Sequence, residues 1–128
     1  MRVLIFGSKD WTNYGDIMRN MTILLEDIKY ADPDANQLTI VHAGNSGAEN
    51  MVTEYIGKVE KFLRQKGMNI KEEIFKATIA SNKSVNDYNM ITKGGDYAIV
   101  FMTNGDKRTQ YCAKMLEEFE IPTKIVRE

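Results

Sequence analysis

The sequence predicts an α/β fold: one Rossmann-like domain of about five mostly parallel strands, order 3-2-1-4-5, with helices on both faces. Three observations predict it. Val3-Leu4-Ile5-Phe6 and Tyr97-Ala98-Ile99-Val100-Phe101-Met102 are apolar almost without interruption, as expected of strands covered on both faces. Between the strand-like runs lie stretches with apolar residues every three or four positions, the pattern of helical crossovers joining parallel strands. The run at 70–77 is broken by charges, which suits a sheet edge. With right-handed crossovers, that edge assignment places the two strongest runs side by side at the centre.

The elements follow in order. Arg2-Val3-Leu4-Ile5-Phe6 is the first strand and gives onto Gly7-Ser8-Lys9-Asp10-Trp11. After the polar residues 12–16, Ile17, Met21, Leu24, Leu25 and Ile28 keep helical spacing for about four turns. Pro33 disfavours helical geometry at Asp32, so residues 31–36 form a loop. Leu38-Thr39-Ile40-Val41 is a buried strand, and Ala43-Gly44-Asn45-Ser46-Gly47 turns it into a helix from about Ala48. There Met51, Val52, Tyr55, Ile56, Val59, Phe62 and Leu63 form the apolar side, and Gly67 marks the stop. Residues 77–86 are polar and expected across the carboxyl ends of the strands. Residues 85–93 suit a short helix closed by Gly94-Gly95. The strand at 96–102 leads into a loop at 103–109. Tyr111, Cys112, Met115, Leu116 and Phe119 pattern a last helix, and 121–126 a last strand with Pro122 at its first position.

Composition bounds the function. A chain of 128 residues fits a single domain, 1–128, and buries roughly 65–70% of its unfolded surface without needing staples. A net charge of -1 gives no general attraction to nucleic acid or to an anionic membrane. One cysteine excludes an internal disulfide and fits a reducing compartment. One histidine and one cysteine leave too few ligands for a zinc site of the usual His/Cys kind, so no metal is expected. No apolar run approaches membrane-spanning length and the start reads as a strand rather than a signal peptide, so a cytoplasmic location is expected.

Ligands of open parallel sheets sit outside the carboxyl ends of the strands, at the point where the strand order reverses. Gly44 and Gly47 allow a sharp turn and close approach of the backbone, and a helix start attracts an anion. A tight turn with nothing bound would look the same. Gly7, Ser8, Lys9, Trp11, Gly44, Asn45, Ser46, Gly47, Glu49, Asn104, Gly105, Lys107, Arg108 and Thr109 are therefore the candidate ligand-binding residues. Ser8, Lys9, Lys107 and Arg108 suit phosphate contacts, and a side chain at Gly47 is expected to block the ligand while leaving the core intact. Trp11 suits either stacking on a base or covering the helix below it. His42 suits a packed, hydrogen-bonded imidazole better than a catalyst. Glu49 suits a first-turn carboxylate or a contact to a ribose hydroxyl.

Two of these stretches carry a resemblance. Gly7-Ser8-Lys9-Asp10-Trp11 resembles the G-S-R-x-W opening of the YspA-type branch of the SLOG superfamily, which is related to the LOG and DprA groups. Val41-His42-Ala43-Gly44-Asn45-Ser46-Gly47-Ala48-Glu49 resembles that branch's V-H-G-G-x-x-G-A-D. Met90, with Asp96 six residues on, fits the end of its R-N-x-x-M motif, and 103–109 sits where the superfamily has P-G-G-x-G-T. The resemblance runs nearly end to end. It implies a Rossmann-like fold binding a nucleotide or nucleotide-derived ligand, with a homodimer or higher homo-oligomer as a common state. Some members of the superfamily are phosphoribohydrolases; others are sensors or bind nucleic acid.

The departures bear on turnover. The motif arginine is Lys9, its aspartate is Glu49, its R-N pair is Asn86-Asp87, and the double glycine of the second turn is missing. Gln110, Tyr111 and Cys112 follow Thr109 where the hydrolases place a glutamate. The expectation is a nucleotide-binding protein without turnover: a sensor, carrier or sequestering protein, with a phage origin suiting its compactness. The alternative is an N-glycosidic hydrolase or transferase, with Glu49 or Asp87 stabilising an oxocarbenium-like centre. A nucleic-acid-binding or scaffold module comes third, since no basic stripe is present. No cofactor is specified beyond the nucleotide-like ligand.

Overall fold

The computed structural model describes residues 1–76 and 83–128. Five strands, β1 (Arg2–Gly7), β2 (Gln37–His42), β3 (Asn69–Ile74), β4 (Tyr97–Met102) and β5 (Thr123–Arg127), form one sheet in the order β3-β2-β1-β4-β5. Every neighbouring pair is parallel. Four helices, α1 (Tyr14–Ala31), α2 (Ala48–Gln65), α3 (Lys83–Lys93) and α4 (Lys107–Glu118), make the crossovers. The α/β class, the strand order and the central pair of apolar runs are as the sequence predicts.

Side-chain alternation along the central strands divides the core in two. Val3 and Ile5 of β1, Leu38 and Ile40 of β2, and Ile99 and Phe101 of β4 pack with the apolar faces of α1 and α2. Leu4 and Phe6, Val41, and Ala98, Val100 and Met102 pack with Met90 and Ile91 of α3 and Cys112, Met115 and Leu116 of α4. Each face is thus covered by two helices, which explains why these strands read as continuous apolar runs. β3, with Lys71, Glu72 and Glu73 at its middle, lies at an edge as its charges suggest.

Several boundaries differ from the sequence reading. Asn13 caps α1 through its side chain, accepting from the Asp16 N–H, so the helix starts a turn before its first buried apolar residue. Asp106 caps α4 in the same way, accepting from the Arg108 N–H. Lys107, Arg108 and Thr109 are therefore the first turn of a helix and not part of a loop. Pro122 precedes β5, although its carbonyl accepts from the Ala98 N–H and starts the β4–β5 pairing. Of the polar stretch expected across the sheet's carboxyl ends, residues 77–82 lie outside the described residues, and 83–86 open α3.

Candidate functional site

The strand order reverses between β1 and β4, and the loops after them meet there. The Ser8 N–H donates to the Phe101 carbonyl at 2.9 Å. Ser8 is buried: its hydroxyl donates to the Asp106 carboxylate and accepts from the Thr103 N–H at 2.9 Å. Thr109 adds a second hydroxyl to Asp106 at 3.0 Å. Asp106 thereby closes the amino end of α4, the place where an anion is most favoured, with a carboxylate of the chain itself.

The glycine turn is organised in the same way around Glu49. This residue is 0% exposed. Its carboxylate accepts from the backbone N–H groups of Gly7 at 3.1 Å, Ala43 at 3.1 Å and Asn45 at 3.2 Å, and from the Asn45 side-chain amide at 3.2 Å. The N–H groups of Gly44 and Ala48 are also taken, by His42 Nδ1 at 2.9 Å and the Ser8 carbonyl at 3.2 Å. The amides of Ser46 and Gly47 make no hydrogen bond to any described residue. The cradle expected to hold a ligand phosphate is thus largely filled by a resident carboxylate.

Arg108 joins the two helix starts to α3. It grips Asp87 with two donors, Nε at 2.9 Å and an Nη at 3.0 Å, and reaches Glu49 at 3.1 Å and the Gly7 carbonyl at 3.1 Å. Burial works against its charge, but the bonds to Asp87 and the charges of Glu49 and Asp87 outweigh this and raise its pKa. Cys112 points its thiol at Asp87, 3.5 Å away; burial, then that carboxylate, push the thiol pKa well up despite Arg108. Asp87 is as buried as Glu49. The two candidate catalytic carboxylates therefore serve as anchors for Arg108 and the turn, with no surface turned to a reactant.

Other expected residues divide similarly. Trp11 is buried, packs edge-on against Phe101 at 5.4 Å between ring centres, and donates its indole N–H to the Asn13 carbonyl, so it presents no face for a base. It covers the helix packing, the second of its two sequence readings. His42 is buried and structural: its Nδ1 accepts from Gly44, which leaves Nε2 to donate to Glu72 at 2.7 Å. Gly7 is required by packing, since a Cβ there would lie 2.3 Å from that of Ala48. Gly47 adopts φ 84°, and a Cβ there would meet the Ser8 and Lys9 carbonyl oxygens at 2.4 and 2.5 Å. A side chain at Gly47 would therefore disturb the fold itself, contrary to the expectation that the core would be left intact. Asn104, Gly105 and Lys107 are exposed beside the α4 cap, and Ser46 is exposed on the glycine turn.

Among the described residues, a cleft of about 210 Å³ lined by Lys9, Asn45, Lys83, Asp106 and Arg108 lies open. It lies over the reversal of strand order and holds three cationic side chains against one carboxylate. Lys83 and Asp106 fall within the stretches 77–86 and 103–109 that the sequence places at the carboxyl ends of the strands, but neither is among the candidate ligand-binding residues. Lys83 follows an unpatterned stretch, whereas Asp106 carries a signal, an N-cap residue before an amphipathic helix, that marks it as a cap rather than as a wall of the cleft.

Compared with protein-family models, with curated proteins and with solved structures, the chain matches none.

Proposed function

We propose that the chain binds a small anionic, nucleotide-derived molecule in the cleft over the β1/β4 reversal, without turning it over. The observation that carries this reading is the convergence of Lys9, Lys83 and Arg108 on one cleft at the place where open α/β sheets take their ligands. Arg108 is fixed by its carboxylate partners, whereas Lys9 and Lys83 are exposed and make no ion pair with a described residue. The two lysines supply the charge that a ligand phosphate would meet. The resemblance of the first two loops to SLOG motifs supports the nucleotide part of the reading.

Absence of turnover is supported by Glu49 and Asp87. A carboxylate that stabilises an oxocarbenium-like centre must reach the sugar, and both are enclosed and held by hydrogen bonds from Arg108. The test is calorimetric titration with a panel of nucleoside mono-, di- and cyclic phosphates, followed by chromatography of the mixture. Binding with the nucleotide recovered intact is the expected result. Loss of one charge-assisted contact is worth about 1.5–3 kcal/mol, so Lys9→Ala and Lys83→Ala should each weaken binding by roughly 10- to 150-fold, and Lys61→Ala on α2 should not. Equal affinity in all three variants would place the ligand elsewhere, and release of free base would restore the enzymatic alternative.

A further inference from the structure

Between α1 and α2 lies a groove of about 390 Å³, within the size range of small-molecule sites. Its apolar wall is Leu25 of α1 with Tyr55, Val59, Phe62 and Leu63 of α2, and Met68 closes it toward β3. Tyr55, Val59, Phe62 and Leu63 fall at i, i+4, i+7 and i+8, so they form one stripe of α2. The stripe is buried at Tyr55, but Val59 and Leu63 are only half-buried and Phe62 stands 58% exposed. Both helices cross back between parallel strands on the same face of the sheet, so they run side by side in the same direction. Thr22 and Tyr55, hydrogen-bonded at 3.0 Å, bridge them at one end of the groove. Lys29 and Lys66, near the carboxyl ends of the two helices, line the other end, roughly 10 Å further along α1. The groove shares no residue with the cleft over the β1/β4 reversal.

We propose that this groove binds a free fatty acid, with one alkyl chain laid along the apolar stripe and the carboxylate at Lys29 and Lys66. The occupant is identified by the lining and its charge. An apolar wall with charged groups gathered at one end suits an alkyl chain with a single polar head, and not a sugar or a nucleotide. The head must be an anion. Lys29 donates to the carbonyls of Ala35 at 2.6 Å and Pro33 at 3.4 Å, which uses two of its three donors and leaves its charge uncompensated. Lys66 stands over the Phe62 ring, 5.6 Å from its centre. Neither lysine makes an ion pair with a described residue. Glu26, the carboxylate among the lining residues, belongs to an exposed side chain, so the two ammonium groups leave an excess of one positive charge. A carboxylate head matches that excess and a cationic head does not. The net charge of -1 gives the chain no general attraction to an anionic bilayer, so the fatty acid enters as a monomer from water.

Calorimetric titration of the intact chain tests this, with dodecanoate as the probe and dodecylammonium as its cationic match, both kept monomeric. Run at two temperatures, dodecanoate should bind with a Kd on the order of 10–100 μM and a negative heat-capacity change. Dodecylammonium should bind at least about fivefold more weakly. Val59→Trp fills the groove from a half-buried position and should abolish dodecanoate binding. Lys66→Glu, at an exposed position, should weaken dodecanoate at least about fivefold and tighten dodecylammonium. Lys61→Glu makes the same charge change on α2 outside the groove and should leave both affinities as in the wild type. Circular dichroism checks that each variant is folded, and Lys66→Glu keeps the test decisive if Val59→Trp does not fold. Phosphatidylserine–phosphatidylcholine vesicles should not carry the chain down on sedimentation. No binding of dodecanoate up to about 1 mM at either temperature would overturn the proposal, as would equal affinity for the two probes. So would a folded Val59→Trp protein that binds like the wild type, equal effects of Lys61→Glu and Lys66→Glu, or cosedimentation with the vesicles.

Discussion

Gly47 and Gly57 show how much one Cβ can mean within a single helix and its cap. At Gly47, φ is 84° and ψ is -131°, a combination reserved almost wholly for glycine, and two carbonyl oxygens stand where a Cβ would go. Gly57 lies inside α2 with nothing near an added methyl group. Gly47→Ala should therefore destabilise the chain by at least about 2–3 kcal/mol, while Gly57→Ala should stabilise it by up to about 1 kcal/mol through helix propensity. Urea denaturation of the two variants checks the contrast, and a Gly47→Ala protein as stable as the wild type would refute the packing described for the turn. The same scale explains Glu49. Its place in the first turn of a helix is visible in the sequence, but its partners come from Gly7, Ala43, Asn45 and Arg108. A carboxylate's environment, not its identity, decides whether it reacts or anchors.

Among the elements, β1 and β3 are tied across the intervening β2. Arg2 at the start of β1 donates to the Glu73 carboxylate of β3 at 2.6 Å and to the Gly94 carbonyl at 2.9 Å. The hydrogen bond from Arg2, outweighing the cost of burial, holds the Glu73 carboxyl below the usual carboxylate range. Because the folded pKa is depressed, the unfolded chain takes up protons first as pH falls. The stabilisation is complete above the unfolded pKa of about 4.3 and is lost as pH falls through the lower folded value. Glu73→Gln should cost less than about 1 kcal/mol at neutral pH, given the partial exposure of the pair, and its difference from wild type should vanish in acid. Urea midpoints of the two proteins from pH 7 down to about 2.5 measure this. A difference that persists at the lowest pH would assign the effect to packing instead. The tie matters because β3 is an edge strand with few apolar contacts of its own.

For the molecule as a whole, the two half-cores share the same strands. Ile5 faces α1 and α2 while Phe6, the next residue, faces α3 and α4. Loss of either helical layer strips one side of the central strands, so the layers should unfold together. Trp11 reports on the α1/α2 side alone. Its fluorescence and the far-ultraviolet dichroism should give coincident urea transitions, in wild type and in Leu116→Ala, which cuts the opposite layer by about 2–5 kcal/mol. Separated transitions would show that the layers are independent units. No helix among the described residues is long and apolar enough to cross a membrane.

The periodicities of the sequence determined the architecture. Continuous apolar runs of this length suit strands covered on both faces, and the charged run at β3 suits an edge, so strand order and the place where ligands enter follow from hydrophobicity and chain handedness. Ser8, Gly47 and Arg108 could be named from the sequence as residues near that place for the same reason. What each does there was decided by partners distant along the chain: Ser8 meets Asp106, Glu49 meets Gly7, and Arg108 meets Asp87. A carboxylate that fills a turn and one that would face a ligand have the same sequence signature. Only the folded packing, which buries Glu49 and Asp87 around one guanidinium and leaves Lys9 and Lys83 at the cleft, tells them apart.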